Sequence, residues 1–455
     1  MMPRYDLVVV GDRILIDGEL VPAAIAVTDG RIAAVTPRDA ELPAERRIEA
    51  GHQAVVPGFI DLHVHFDNPG VSITDDFAVG TANAVLGGVT TVVDHPFTTP
   101  LTVTAAALDQ KIVDASAGAR VDFALWGGLT APYLGELDAM MRRGATGFKA
   151  FLPENDMGVV AASEAHLREG LERTRAGGGT VLVHAEDRSA ILEIEAQYHH
   201  SGARPGYSEL VADRDASVEV RAVRGVLDLA EETGGAVHLV HLSVPESVDL
   251  VTSARARGVR ASCEVAAHHL LLSADDLRRV GWPALCAPPL RESELVEGMW
   301  DRLRDGAIEA VVSDHCPYDP VEKAAADRDP FAGPFGIQSI GEFAPLFLDA
   351  ALARGWDLAG ALDLLTRRPA GLFRLPGKGE ITVGADADLT FLELDANWVV
   401  DAERQTGEWK WSPYSGRRSR VRVARTLVRG IEAMMDGALT SPTMGRFLAL
   451  AGWAA

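Results

Sequence analysis

Cysteine is scarce in this chain: Cys263, Cys286 and Cys316 are the only three in 455 residues. An odd, sparse set builds no disulfide framework and suits a reducing cytoplasm. Long apolar runs are also missing. No uninterrupted stretch approaches the roughly 18 residues of a membrane span. Residues 1–12 hold one basic residue and an apolar run too short for a signal-peptide core. Positive charge is in deficit, with 43 Lys and Arg against 65 Asp and Glu, a net charge of −22. So acidic a surface repels nucleic acid and anionic lipid, which excludes both as partners. No internal repeat or low-complexity tract is present. What remains is ordinary for a globular protein: 47 % hydrophobic and 24 % charged residues.

The chain falls into four stretches. Residues 1–54 show short apolar runs at 6–10, 14–16 and 24–27, separated by Gly11-Asp12, Asp17-Gly18 and Asp29-Gly30. These predict a small antiparallel sheet. Over 55–375, apolar runs alternate with longer amphipathic stretches. The strand candidates are 55–65, 90–94, 121–126, 147–152, 180–185, 236–242, 259–265 and 307–314. Glycines at 177–179 and 234–235 end helices just before strands. Such βα repeats predict a TIM-type α/β barrel. The competing doubly wound sheet would usually carry a Gly-rich dinucleotide turn after its first strand, and none is present. Residues 376–440 return to short strands, at 381–383, 389–394 and 421–428, and complete the N-terminal sheet. Residues 441–455 read as a tail.

The chemistry concentrates at predicted strand ends. In Pro57-Gly58-Phe59-Ile60-Asp61-Leu62-His63-Val64-His65, two imidazoles at i and i+2 share one face and can chelate a divalent ion. A bare His-x-His pair is weak by itself. However, His184 closes the fifth strand candidate, His241 the sixth and Asp314 the eighth. Barrel active sites gather at C-terminal strand ends, so these five groups converge. A buried core explains one such histidine better than four with an aspartate. Lys149 lies within the apolar run Phe148-Lys149-Ala150-Phe151. Burial lowers the pKa of such an amine, and a neutral amine can take up carbon dioxide as a carbamate, with two oxygens on a long arm. The plainer reading is a lysine paired with Asp or Glu. His238 reads as structural; any one of His95, His268 and His269, near strand ends, could touch substrate, but each reads better as a core residue. His52, His166, His199, His200 and His315 carry no comparable signal.

Gly58-Phe59-Ile60-Asp61-Leu62-His63-Val64-His65, Gly147-Phe148-Lys149, His184, His241 and Ser313-Asp314-His315 together resemble the amidohydrolase superfamily. More narrowly, the chain resembles the cyclic amidohydrolases: allantoinases, hydantoinases and dihydroorotases. Cys286-Ala287-Pro288-Pro289-Leu290-Arg291 and Gly384-Ala385-Asp386-Ala387-Asp388 extend the resemblance over nearly the whole chain. It implies a distorted barrel with a small β-sandwich made from both chain ends. It implies two divalent metal ions, usually zinc: His63, His65 and Asp314 on one, His184 and His241 on the other, carbamylated Lys149 bridging them. Asp314 would also be the general base. A small cyclic amide would be opened to a ureido acid by a cytoplasmic homo-oligomer, a dimer or tetramer.

Substrate signals divide. Ala124-Leu125-Trp126-Gly127-Gly128-Leu129 and Cys286-Ala287-Pro288-Pro289 resemble allantoinases; Thr74-Asp75-Asp76-Phe77 and Asp314-His315-Cys316-Pro317 resemble hydantoinases. Gly333-Pro334-Phe335-Gly336-Ile337 resembles a dihydroorotase, yet four positions where dihydroorotases use Arg, Asn, Asn and His are Asp67, Phe97, Ala287 and Tyr318. Asp67 would repel the dihydroorotate carboxylate. With Glu154, on a loop after Lys149, and Phe335, these are the candidate substrate contacts. Two other classes fit the residues less well. A metal-free scaffold would be expected to have lost ligands, and a Ser- or Cys-nucleophile hydrolase lacks a Gly-x-Ser-x-Gly elbow here.

Overall fold

The computed structural model describes residues 4–66, 75–154, 160–441 and 443–449. Eight strands form the barrel: Phe59–Val64, Val89–Asp94, Asp122–Leu125, Phe148–Phe151, Thr180–His184, Ala236–Leu239, Ala261–Ala266 and Ala310–Val312. Sequential neighbours pair in parallel. The third strand reaches the fourth through Gly127–Gly128, which pairs with Phe148 and Lys149. A parallel bridge between Val64 and His315 closes the ring. Helices such as Glu164–Gly177 and Ala216–Thr233 return the chain between strands, and each ends on a left-handed glycine, Gly178 and Gly234. Only a residue without Cβ takes that conformation freely.

Leu62, Val93, Trp126, Leu182, Val240 and Val312 meet in one buried cluster inside the ring. Phe148, Ala150, Val181 and Val183 alternate with inward residues and pack outward against the helices. This period of two puts Lys149 and the ring-lining Leu182 on the inner side.

Both chain ends build a second layer, hydrogen-bonded as one eight-stranded sheet. Ala44–Pro57 pairs with Tyr5–Ile16 on one side and Leu389–Glu393 on the other. The first pairing is parallel; the antiparallel pairing that the sequence pattern predicts joins Tyr5–Ile16 to Glu19–Thr28. Gly11-Asp12, which reads as a turn, is a register shift within one long strand. Residues 381–383 form no strand. The candidate at 55–65 divides in two: residues 55–57 stay in the terminal sheet, and the barrel strand starts at Phe59. Gly58 permits the break, since a Cβ there would lie 2.1 Å from Thr90 Oγ1.

The two layers are joined by a buried charge cluster. Lys378 Nζ lies 2.6 Å from Asp122, 2.6 Å from Asp388 and 2.9 Å from Asp386. Arg429 also pairs with Asp122. The segment that reads as a tail is docked where it is described. Arg446 N donates to Asp122, and the backbone of Phe123 bonds Arg446 and Leu448.

Candidate active site

His63 and His65 lie at the end of the first barrel strand, Lys149 on the fourth and His184 at the end of the fifth. His241 and Asp314 follow the sixth and eighth strands, and both adopt left-handed backbone (φ 36° and 47°). A non-glycine residue there costs on the order of 1–3 kcal/mol, and such strain gathers at functional sites. Asp61 supports this turn by accepting from the backbone N–H of His63 and Ser313 at 3.2 and 3.1 Å.

All six side chains line one cavity of about 180 Å³. Asp314 Oδ1 is 3.2 Å from His63 Nε2 and 3.5 Å from His65 Nε2. His184 Nδ1 is 3.1 Å from His241 Nε2. The His63 and His241 rings lie 5.3 Å apart, so the two groups adjoin. Among the described residues, Lys149 Nζ has no hydrogen-bond partner, and neither have Nδ1 of His65 and Nδ1 of His241. Orphaned polar atoms at full burial are rare unless something binds them.

Electrostatics agree with the geometry. Burial pushes the Lys149 amine down to about 7, partly opposed by Asp314 and Glu264. Burial also holds His63, His65, His184 and His241 below the usual imidazole range, which leaves lone pairs free. Burial alone would raise the Asp314 carboxyl. The hydrogen bond from His65 and the nearby His241 outweigh it and hold that carboxyl well below the ordinary range.

Three supports escape sequence reasoning. Glu264, on the seventh strand, approaches His63 Nδ1 at 2.5 Å and His238 Nε2 at 3.1 Å. His238 is structural, in agreement with its sequence reading, but it steadies a site partner. Glu186 approaches His184 Nε2 at 2.7 Å and is held by Arg214. Each carboxylate fixes a ring orientation and tautomer. The signal available for them was a carboxylate within an apolar strand and another two residues after a strand-end histidine. The third is His95, which reads as core: its ring stacks on His63 at 3.9 Å, and among the described residues both nitrogens lack partners.

The candidate substrate contacts divide. Glu154, Ala287, Tyr318 and Phe335 line the cavity. Phe97 stands beside it, stacked on His65 at 5.7 Å. Asp67 lies outside the described residues. Arg214 places a cation on the cavity wall, 5.4 Å from the Phe335 ring centre. Arg291 is buried against Ser243 and the Arg214 carbonyl.

A four-nitrogen, one-carboxylate set with an orphaned amine and no thiolate fits divalent metal ions. Among the described residues, no helix is long and apolar enough to cross a membrane. The chain is 38 % identical to an allantoinase of Rubrobacter xylanophilus over 98 % of both chains. It is 34 % identical to one of Solibacter usitatus, over 97 % of this chain and 96 % of that one. Among solved structures it is similar to the L-hydantoinase (dihydropyrimidinase) of Arthrobacter aurescens. The TM-score is 0.93 at 30 % identity, over 98 % of this chain and 100 % of that one. The amidohydrolase family model matches residues 54–431, and the chain therefore belongs to the amidohydrolase family of metal-dependent hydrolases.

Proposed function

We propose that this protein hydrolyses a ring C–N bond of a cyclic ureide, with allantoin as the leading substrate. The observation behind this reading is the orphaned Lys149 amine among strand-end histidines and Asp314 in one cavity. His63, His65 and Asp314 would hold one divalent ion, and His184 and His241 a second. A carbamate on Lys149 would bridge them, and zinc is the leading metal for this donor set. Such a pair, when bound, lowers the pKa of water and polarises a carbonyl.

The chain's own groups do the rest. Asp314 Oδ1 accepts the proton of the attacking water and returns it to the departing ring nitrogen, a general-base role worth about 10²–10⁴-fold. Glu264 and Glu186 keep His63 and His184 in register. Ala287, Tyr318 and Phe335 form a wall suited to a neutral ring. The product is a ring-opened ureido acid. Three buried, free cysteines suit a cytoplasmic enzyme, and a homo-oligomer, dimer or tetramer, is part of the same reading.

Hydantoinase activity is the second reading. It is favoured by Ile191, Phe331 and Phe335 on the cavity wall, which would accept an apolar ring substituent. The test is kcat/KM on allantoin, 5-substituted hydantoins, dihydrouracil and dihydroorotate. Allantoin should lead and dihydroorotate should trail by several orders of magnitude. A clear lead for an aryl hydantoin would transfer the assignment to the second reading.

A further inference from the structure

A second buried donor cluster adjoins the cavity. His268 and His269 begin the turn after the seventh barrel strand, and Cys286 precedes the Ala287-Pro288 bond. The three are 0 %, 1 % and 2 % exposed. One donor atom from each, an imidazole nitrogen or the thiol sulfur, comes within 4.8 Å of the others. Among the described residues, both ring nitrogens of His268 and Nδ1 of His269 have no hydrogen-bond partner. The remaining polar atoms share one anchor: His269 Nε2 and Cys286 Sγ lie 3.1 and 3.3 Å from the Pro288 carbonyl. A buried polar atom left unpaired costs about 1–3 kcal/mol, and here three fall in one place. Among the described residues, nothing satisfies them. A ligand would.

The donor set selects the ligand. One sulfur and two imidazoles suit a thiophilic d¹⁰ cation in a tetrahedral site with an open fourth position. Cys286 lines the substrate cavity, which gives such an ion an entry path and a place for a water as fourth ligand. We propose that His268, His269 and Cys286 form a separate site for a thiophilic d¹⁰ cation such as Zn²⁺ or Cd²⁺, opening on the substrate cavity. Binding breaks the Cys286 S–H bond and forms a sulfur–metal bond. The proton leaves through the cavity to solvent, and nothing is oxidised or reduced. The bound ion adds positive charge to the cavity that Asp314 shares and occupies room beside Ala287, so it inhibits turnover. The site is distinct from the catalytic set, in which no ligand is a thiol, and it does not depend on which cyclic amide is the substrate.

The test is titration of the metal-loaded enzyme with Cd²⁺, read by the ultraviolet sulfur-to-cadmium charge-transfer band and by total metal content. The band should appear with about one Cd²⁺ per chain beyond the catalytic ions. It should be absent in Cys286→Ser, which keeps the volume and removes the soft donor, and in Cys286→Ala. It should persist in Cys316→Ala, whose thiol lines the same cavity. His268→Ala should need at least about tenfold more Cd²⁺ for the same band. A band unchanged in both Cys286 variants, a band lost in Cys316→Ala, or no cadmium beyond the catalytic ions would overturn the proposal.

Discussion

Two of the buried lysines in this molecule, Lys378 and Lys149, behave in opposite ways. At the junction of barrel and terminal sheet, Lys378 Nζ touches Asp122, Asp386 and Asp388, and these partners push its pKa up despite burial. In the cavity, Lys149 Nζ has no hydrogen-bond partner among the described residues, and burial pushes its pKa down to about 7. Both are fully or nearly fully enclosed. The difference lies in whether the fold supplies counter-charge within hydrogen-bond reach. On the reading proposed above, the saturated lysine is a strut and the unsaturated one a reagent.

The largest effect should come from removing each in turn. Lys149→Ala should lower kcat by at least about 10³-fold while the protein stays folded, with partial rescue by short carboxylic acids. Lys378→Ala should do the reverse. It leaves three buried carboxylates short of a cation, a loss of about 3–5 kcal/mol in stability, with kcat per folded molecule preserved. Thermal unfolding and active-site-normalised rates separate the two. A fully active Lys149→Ala protein without added acid would sink the bridge assignment.

Asp314→Asn should follow, with turnover down about 10²–10⁴-fold and no loss of fold. The carboxylates behind the histidines come next. Glu264→Gln and Glu186→Gln should each weaken metal retention about 10–100-fold, read by metal content after dialysis against a chelator. Equal metal retention in wild type and both variants would reduce these residues to packing.

Part of this contrast is legible in the sequence. Strand-end histidines and Asp314 stand out because barrel topology tells where C-terminal strand ends must meet. Lys149 stands out as a cation in an apolar run. Lys378 does not, because Asp122 lies 256 residues away in the chain and only the joining of barrel to sheet brings the two together. Glu264 escapes notice for the same reason, 201 residues from His63, while Glu186, two residues after His184, escapes because a support is recognised by what it touches. The break at Gly58 is hidden because apolar residues continue across it, so periodicity has no edge to report. His95 looks like core because a lone buried histidine usually is.

The smallest effect sharpens the contrast through pH. Take the metal-free protein and compare wild type with Lys149→Met, which is similar in size and never charged. The Lys149 amine has a pKa of about 7 when folded against 10.5 when unfolded. Between those values the unfolded chain binds a proton that the folded one does not, so wild-type stability falls as pH drops from 10.5 toward 7. The methionine variant has no such proton. It should therefore be more stable than wild type near pH 8, by up to about 3 kcal/mol at 1.36 kcal/mol per pKa unit, and the gap should close as pH approaches 10.5. Lys378 has the opposite sign. Its raised pKa contributes stability that is complete below 10.5 and is lost as pH rises through the folded value, so Lys378→Met should flatten the alkaline loss of stability. Unfolding curves for the three proteins from pH 7 to well above 10.5 decide the matter. A gap between wild type and Lys149→Met that does not change with pH would mean that Lys149 is charged in the folded protein, and the reagent would then be a second strut.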